Sequence, residues 1–156
     1  MNNLSIHPAL ESDLGLINSL VRRSKAYWGY SEEYMDKCME IIAIRPKHLQ
    51  QNIVKTCHKD QQIVGIYSFS LKDDKSLMLD YLFIEPDFIY QNIGSYLFKA
   101  AVETAKSIGK TEFILHSDPY AEGFYIKMGC HRIGDHPSTI TPGLILPIMK
   151  YELTSN

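Results

Sequence analysis

Residues 79–109 read LDYLFIEPDFIYQNIGSYLFKAAVETAKSIG, and their order decides the fold. The run begins as a strand. Leu77, Leu79, Tyr81 and Phe83 alternate with Met78, Asp80, Leu82 and Ile84, so both faces are largely apolar and the strand is covered on both sides. Asp80 is the one charge in it, expected on the face of Met78, Leu82 and Ile84. Pro86 ends the strand because it has no N–H to give a ladder. After a short loop around Gly94, the residues Ile93, Leu97, Ala101, Ala105 and Ile108 recur at helical spacing, and Gly109 stops the helix. A loop that opens a helix leaves unpaired N–H groups at the positive end of the helix dipole. That arrangement suits phosphate, so a diphosphate-bearing cofactor is the first ligand class to expect.

A second segment, SDPYAEGFYIKMGCHRIGD at 117–135, reads as a short helix with Ser117 or Asp118 as cap and Pro119 in its first turn. Phe124 and Met128 share a face, Gly129 ends the helix, and a strand over 130–133 follows. Upstream, 4–8 reads as a strand and 11–26 as an amphipathic helix after a Ser12 or Asp13 cap. Helix 32–42 follows Ser31, with Glu32 and Glu33 well placed in its first turn. A short helix or turn at 46–51 comes next, then a hairpin of 53–59 and 62–71. The last strand, 144–153, is interrupted by Pro147, which predicts a bulge or an edge.

Composition bounds the function. At 156 residues and 45% hydrophobic, the chain buries one good core, so a single domain over 1–156 is expected. A net charge of −2 carries no basic footprint for nucleic acid. No signal peptide or membrane-length apolar run is visible, and Cys38, Cys57 and Cys130 lack metal or redox spacing. A reduced, cytoplasmic protein without a metal is the expectation.

Together the segments resemble the GCN5-related N-acetyltransferase (GNAT) family over nearly the whole chain. The family's strand ending in a Leu-x-Val-x-Pro-like run matches Leu82, Ile84 and Pro86, and its phosphate loop falls on 89–94. The later motif matches Asp118, Ala121, Phe124, Tyr125, Gly129 and Cys130. The stretches RSKAYWGY (23–30) and PSTITPGLILPIMKYEL (137–153) look like one branch of bacterial members. The loop departs from the family pattern at Ile89, Tyr90 and Asn92, keeps only Gly94, and has no Lys or Arg between Asp87 and Tyr96. Asn92 tolerates the left-handed backbone a glycine would take there. The grip on a pyrophosphate would then rest on backbone dipoles alone.

The resemblance implies an α+β (α/β three-layer) fold, the acyl-CoA N-acyltransferase fold, with a mixed, mostly antiparallel sheet flanked by helices. It also implies acetyl-CoA as donor and a small-molecule or peptide amine as acceptor, with no nucleic-acid or membrane partner; a homodimer stays open. The cofactor arm would pair with the backbone of Leu82, Phe83 and Ile84, and one of these N–H groups would polarise the thioester. Gln91, Asn92, Ile93, Gly94, Ser95 and Tyr96 would hold the pyrophosphate, with Asp118 and Phe124 beside the cofactor. Tyr125 is the expected general acid to the leaving thiolate. Asp80 is the candidate base, its pKa raised by burial, or else the partner of a cation such as Lys25. His116 is a second candidate. Asp118 either caps its helix or orients a ligand. Lys25, Trp28 and Tyr30, with Tyr27, form an aromatic cluster around Gly29 that either closes over an amine or anchors the helix junction. The alternative function is a degenerate family member that binds CoA or a small molecule without catalysis.

Overall fold

In the computed structural model, residues 3–89 and 91–153 are described. Tyr90, where a family glycine was expected, lies outside them. The elements run β1 (Leu4–Pro8), α1 (Leu14–Ala26), α2 (Glu32–Ile42), α3 (Pro46–Gln51), β2 (Ile53–Lys59), β3 (Gln62–Leu71), β4 (Leu77–Ile84), α4 (Ile93–Ser107), β5 (Glu112–His116), α5 (Glu122–Lys127), β6 (His131–Pro137) and β7 (Ile145–Glu152). Short 3-10 turns at Glu11–Asp13, Pro86–Phe88 and Pro119–Ala121 lead into α1, α4 and α5. Seven strands form one sheet in the order β1-β2-β3-β4-β5-β7-β6. Only β4 and β5 are parallel among these pairs. This is the mixed sheet flanked by helices that the resemblance implied.

Each face of the sheet is covered by its own apolar cluster. On one side α4 lays Leu97, Phe98, Ala101 and Ala105 over Tyr67, Phe69, Leu79 and Phe113. On the other, Ile17, Leu20 and Val21 of α1 meet Ile44, Val54 and Ile66. Capping follows local chemistry. Ser31 Oγ accepts the Tyr34 N–H at 3.1 Å, which starts α2 as expected. Asp118 rather than Ser117 caps the later turn, accepting the Tyr120 N–H at 3.0 Å. Neither Ser12 nor Asp13 caps α1, because the 3-10 turn supplies its entry instead.

Three expectations are corrected. In β4, Ser68 pairs with Tyr81 and Phe69 with Leu79, which leaves Asp80 as an extra residue in a bulge. A bulge reverses the alternation beyond it. Leu77 and Leu79 therefore face α4, and so do Leu82 and Ile84, while Tyr81 and Phe83 turn toward α1. Asp80 does not share a face with Leu82 and Ile84. Second, Pro147 is neither on an edge nor in a bulge: β7 lies between β5 and β6, Pro147 pairs with Asp135, and the register slips beside it, where Ile133 of β6 is left out between Met149 and Ile148. Pro147 O accepts the Ser117 N–H at 2.8 Å, so its missing donor faces the point where β5 ends. The strand after Gly129 is also longer than the 130–133 expected, reaching Pro137 because it pairs along β7.

Candidate active site

Parallel strands β4 and β5 share one register pair, Met78 with Ile114, and diverge beyond it. A cavity of about 740 Å³ opens at the divergence. Its floor is the bare edge of β4. The Glu85 N–H donates to Val64 O at 2.9 Å, so Glu85 points its backbone toward β3. Alternation then sends the N–H of Phe83 into the β3 ladder, opposite Ile66, and those of Leu82 and Ile84 toward the cavity. The Ile84 N–H is already taken, donating to Ser24 Oγ of α1 at 3.2 Å. That leaves the Leu82 N–H as the one of these three donors without a partner among the described residues. Leu82, Phe83 and Ile84 all border the cavity.

One end of the cavity is the N-terminus of α4. Asn92 adopts φ +61°, ψ +17°, the left-handed conformation foreseen for it, and its carbonyl accepts the Tyr96 N–H at 3.1 Å. Ile93, Gly94 and Ser95 make up the first turn, whose N–H groups point out of the helix end. Gly94 is closely packed: a Cβ there would stand 2.9 Å from Ile84 Cδ1 and 3.1 Å from the Phe124 ring, so those side chains would have to shift. Asn92, Gly94, Ser95 and Phe124 border the cavity. Three other expected residues do not. Ile93 is buried in the core. Tyr96 donates its hydroxyl to Leu4 O at 3.2 Å. Gln91 turns its side chain to Lys59, accepting from Nζ at 2.7 Å. Lys59, on the β2–β3 hairpin, thus brings a cation beside a loop that has none of its own. Lys127 of α5 and Lys25 of α1 border the cavity itself.

Tyr125 is buried at the centre, against Phe98, Phe124 and Cys130. No described residue hydrogen-bonds its hydroxyl, which opens onto the cavity. Burial pushes its pKa well up, with further pushes from Cys130 and Asp118, so the phenol stays protonated. Burial also pushes the Cys57 thiol to about 11 and Cys130 to about 12, which keeps both from acting as thiolate nucleophiles.

Asp80 and His116 face the other half. The Asp80 carboxyl is pushed up by burial, while the Ser70 hydroxyl, Lys72 and His48 pull it back. His116 ends β5 with its ring stacked on His136 at 4.2 Å. Burial first, then His136 and Lys72, lower its pKa and keep it neutral near pH 7. Lys25 pairs with Asp118, Nζ to Oδ2 at 3.5 Å, rather than with Asp80, and lies 5.1 Å over the Tyr30 ring. The Tyr30 hydroxyl donates to the same Asp118 oxygen at 3.0 Å, so Tyr30 stands behind the wall rather than in it. Asp118 therefore both caps its turn and ties α1 to β5.

Trp28 stacks on Tyr120 with centroids 5.4 Å apart and planes 9° from parallel. Tyr34 stacks on Tyr30 at 4.6 Å, and its hydroxyl accepts from Thr141 Oγ1 at 2.8 Å. Tyr34 and Tyr120 were not legible as site residues. Tyr34 follows Tyr30 by four positions, a usable helical signal, but Tyr120 carries none.

The sequence pattern of the acetyltransferase (GNAT) domain matches residues 30–153. The chain belongs to the GNAT family. This GNAT protein is similar in fold to the PaiA N-acetyltransferase of Thermoplasma acidophilum in complex with coenzyme A, at 20% identity and a TM-score of 0.79, over 96% of this chain and 98% of that one. A GCN5-related N-acetyltransferase from Rhodopseudomonas palustris aligns at 21% identity and a TM-score of 0.81, over 98% of each chain. The yncA protein of Salmonella typhimurium, a putative acetyltransferase with its cofactor acetyl-CoA, aligns at 15% and 0.68, over 99% of this chain and 96% of that one. No curated protein matches the sequence. Family membership supports acetyltransferase activity in general, and the neighbours with CoA or acetyl-CoA support a CoA-binding fold.

Proposed function

We propose that this GNAT protein transfers the acetyl group of acetyl-CoA to a primary amine, by direct attack in a ternary complex. The observation that carries the reading is the diverging β4–β5 pair, with the Leu82 N–H bare on one side of the cavity and the Tyr125 hydroxyl opening onto it. The residues present fit the donor: Gly94 keeps the helix entrance free of a side chain, and the first turn of α4 offers N–H groups to a pyrophosphate. Acetyl-CoA supplies the activated thioester.

The chain does the rest. Asn92, Gly94 and Ser95 would hold the pyrophosphate, with Phe124 beside the cofactor. Leu82 donates its N–H toward the thioester carbonyl, where negative charge develops. Asp80, through water, takes the proton of the incoming ammonium, so that a neutral amine attacks. As the N–C bond forms and the C–S bond breaks, the Tyr125 hydroxyl would donate to the leaving sulfur, and its phenolate would regain the proton that the new amide nitrogen sheds. His116, neutral and bordering the same cavity, is the second candidate to accept the proton.

The alternative, a CoA-binding module without catalysis, draws on Ile89 and Asn92 in the loop. Thermal unfolding with and without acetyl-CoA, with ATP as phosphate control, tests the cofactor half of both. Saturation about 100-fold above the dissociation constant adds ~2.7 kcal/mol and shifts the midpoint by about 5–10 °C. No shift at millimolar acetyl-CoA sinks the transferase reading. A shift without turnover of any amine favours the module.

A further inference from the structure

We infer that the acceptor is a primary monoamine with an aromatic or otherwise apolar body, an arylalkylamine by chemical class; this rests on the transferase reading above. Charge argues first. Among the described residues bordering the cavity, the carboxylates are Asp80 and Asp118. Asp118 is committed: it accepts from Tyr30, from the Tyr120 N–H and from Lys25. Asp80 alone remains for an incoming ammonium. Tyr34, Ile140, Leu144 and Leu146, which also border the cavity, offer no carboxylate to the second ammonium of a diamine or polyamine. Desolvating a charge there without a carboxylate is unfavourable. The ring best placed for a cation, Tyr30, already has Lys25 over its face at 5.1 Å.

Shape argues second. The Tyr34 ring is fixed, stacked on Tyr30 by one face and tied through its hydroxyl to Thr141 of the β6–β7 loop. A fixed ring among aliphatic side chains is a surface for a flat apolar group, which gains from offset or edge contact with it. At the mouth Trp28 and Tyr120 are 40% and 61% exposed and stacked on one another. Large rings left open to water around a cavity mouth mark a surface that an apolar ligand covers.

The test uses the full chain and acetyl-CoA, reading release of the CoA thiol with 2-phenylethylamine, tryptamine, putrescine, spermidine and an alanine-led tripeptide as acceptors. The expected result is a kcat/KM for the two arylalkylamines at least ~10-fold above the others, the lower end of what one pocket contact contributes to discrimination. Tyr34→Ala should lower kcat/KM for tryptamine mostly through KM, and Leu144→Asp should narrow the gap to putrescine. Both variants are checked for an unchanged acetyl-CoA melting shift, which reports folding and the cofactor half separately. A preference for putrescine, spermidine or the peptide overturns the acceptor class and leaves the transferase reading in place. So does a normal acetyl-CoA shift with no turnover of either arylalkylamine. An absent shift strikes the transferase reading, and the acceptor class falls with it.

Discussion

The two sides of the sheet are built differently. Under α4 and α5 one continuous apolar cluster runs from Cys57 to Met149, with Phe98 touching Phe113, Phe124, Tyr125 and Tyr151. Under α1 to α3 the buried cluster is small, and polar links hold the helices in place. Asn18 bonds both backbone groups of Ile44 at 2.7 and 2.9 Å. Arg23 clamps Glu85 through two bonds of 2.7 and 2.6 Å. Lys25 and Tyr30 hold Asp118. The difference separates two tasks. On the proposed reading, backbone on the rigid core meets the cofactor, and side chains on the polar-linked segments meet the acceptor.

The sharpest way to break this comparison is at Tyr125, the one side chain on the rigid side with a proposed chemical task. Tyr125→Phe should lower kcat by ~10²–10⁴-fold while leaving the acetyl-CoA melting shift intact; unchanged turnover removes it from the mechanism. Next comes the core. Phe98→Ala should destabilise by about 3–5 kcal/mol in urea unfolding, more than any single polar link opposite. Gly94→Val tests the close approach at the α4 entrance: overpacking of about 1–3 kcal/mol should appear chiefly as weaker acetyl-CoA binding in titration calorimetry. Glu85→Gln should cost about 1–2 kcal/mol, because Arg23 is half exposed and regains water. A loss as large as that for Phe98→Ala would erase the distinction between the two sides.

The smallest effect is at Asp80. Burial raises its folded pKa above the usual carboxylate value of ~3.9, so the ionised base is lost, and kcat/KM falls, on acidification through a point above that value. The same shift makes the ionised form unfavourable in the fold. Its stabilising contribution is full below the unfolded pKa and vanishes as pH rises through the folded one. Asp80→Asn should therefore abolish the acid limb and raise the melting temperature by about 1–3 °C at pH 7. No gain is expected at pH 3.

Much of the fold was legible because its signals are local. Strands 4–8, 53–59 and 62–71, helix 32–42 and the left-handed Asn92 follow from alternation, capping and residue type. The α4 entrance with Gly94, and Tyr125 beside it, were readable as motif positions. The bulge at Asp80 was not, since both faces of β4 are apolar and alternation carries no mark where it slips. Pro147 misled because its missing N–H predicts an edge, and only the ending of β5 makes an interior place tolerable.

What the sequence determined by itself is the order of elements, the family and the residue types available for acyl transfer. These depend on neighbours within a few positions and on motif spacing. Tertiary structure decided which of them meet. It brought Lys59 to Gln91 across 32 positions, Lys25 and Tyr30 to Asp118 across 93 and 88, and Tyr34 to Thr141 across 107. It also chose Leu82 over Phe83 and Ile84 as the bare donor, through a bulge and one serine hydroxyl. Such pairings are set by how the sheet and helices close on one another, and no local pattern in the chain encodes that closure.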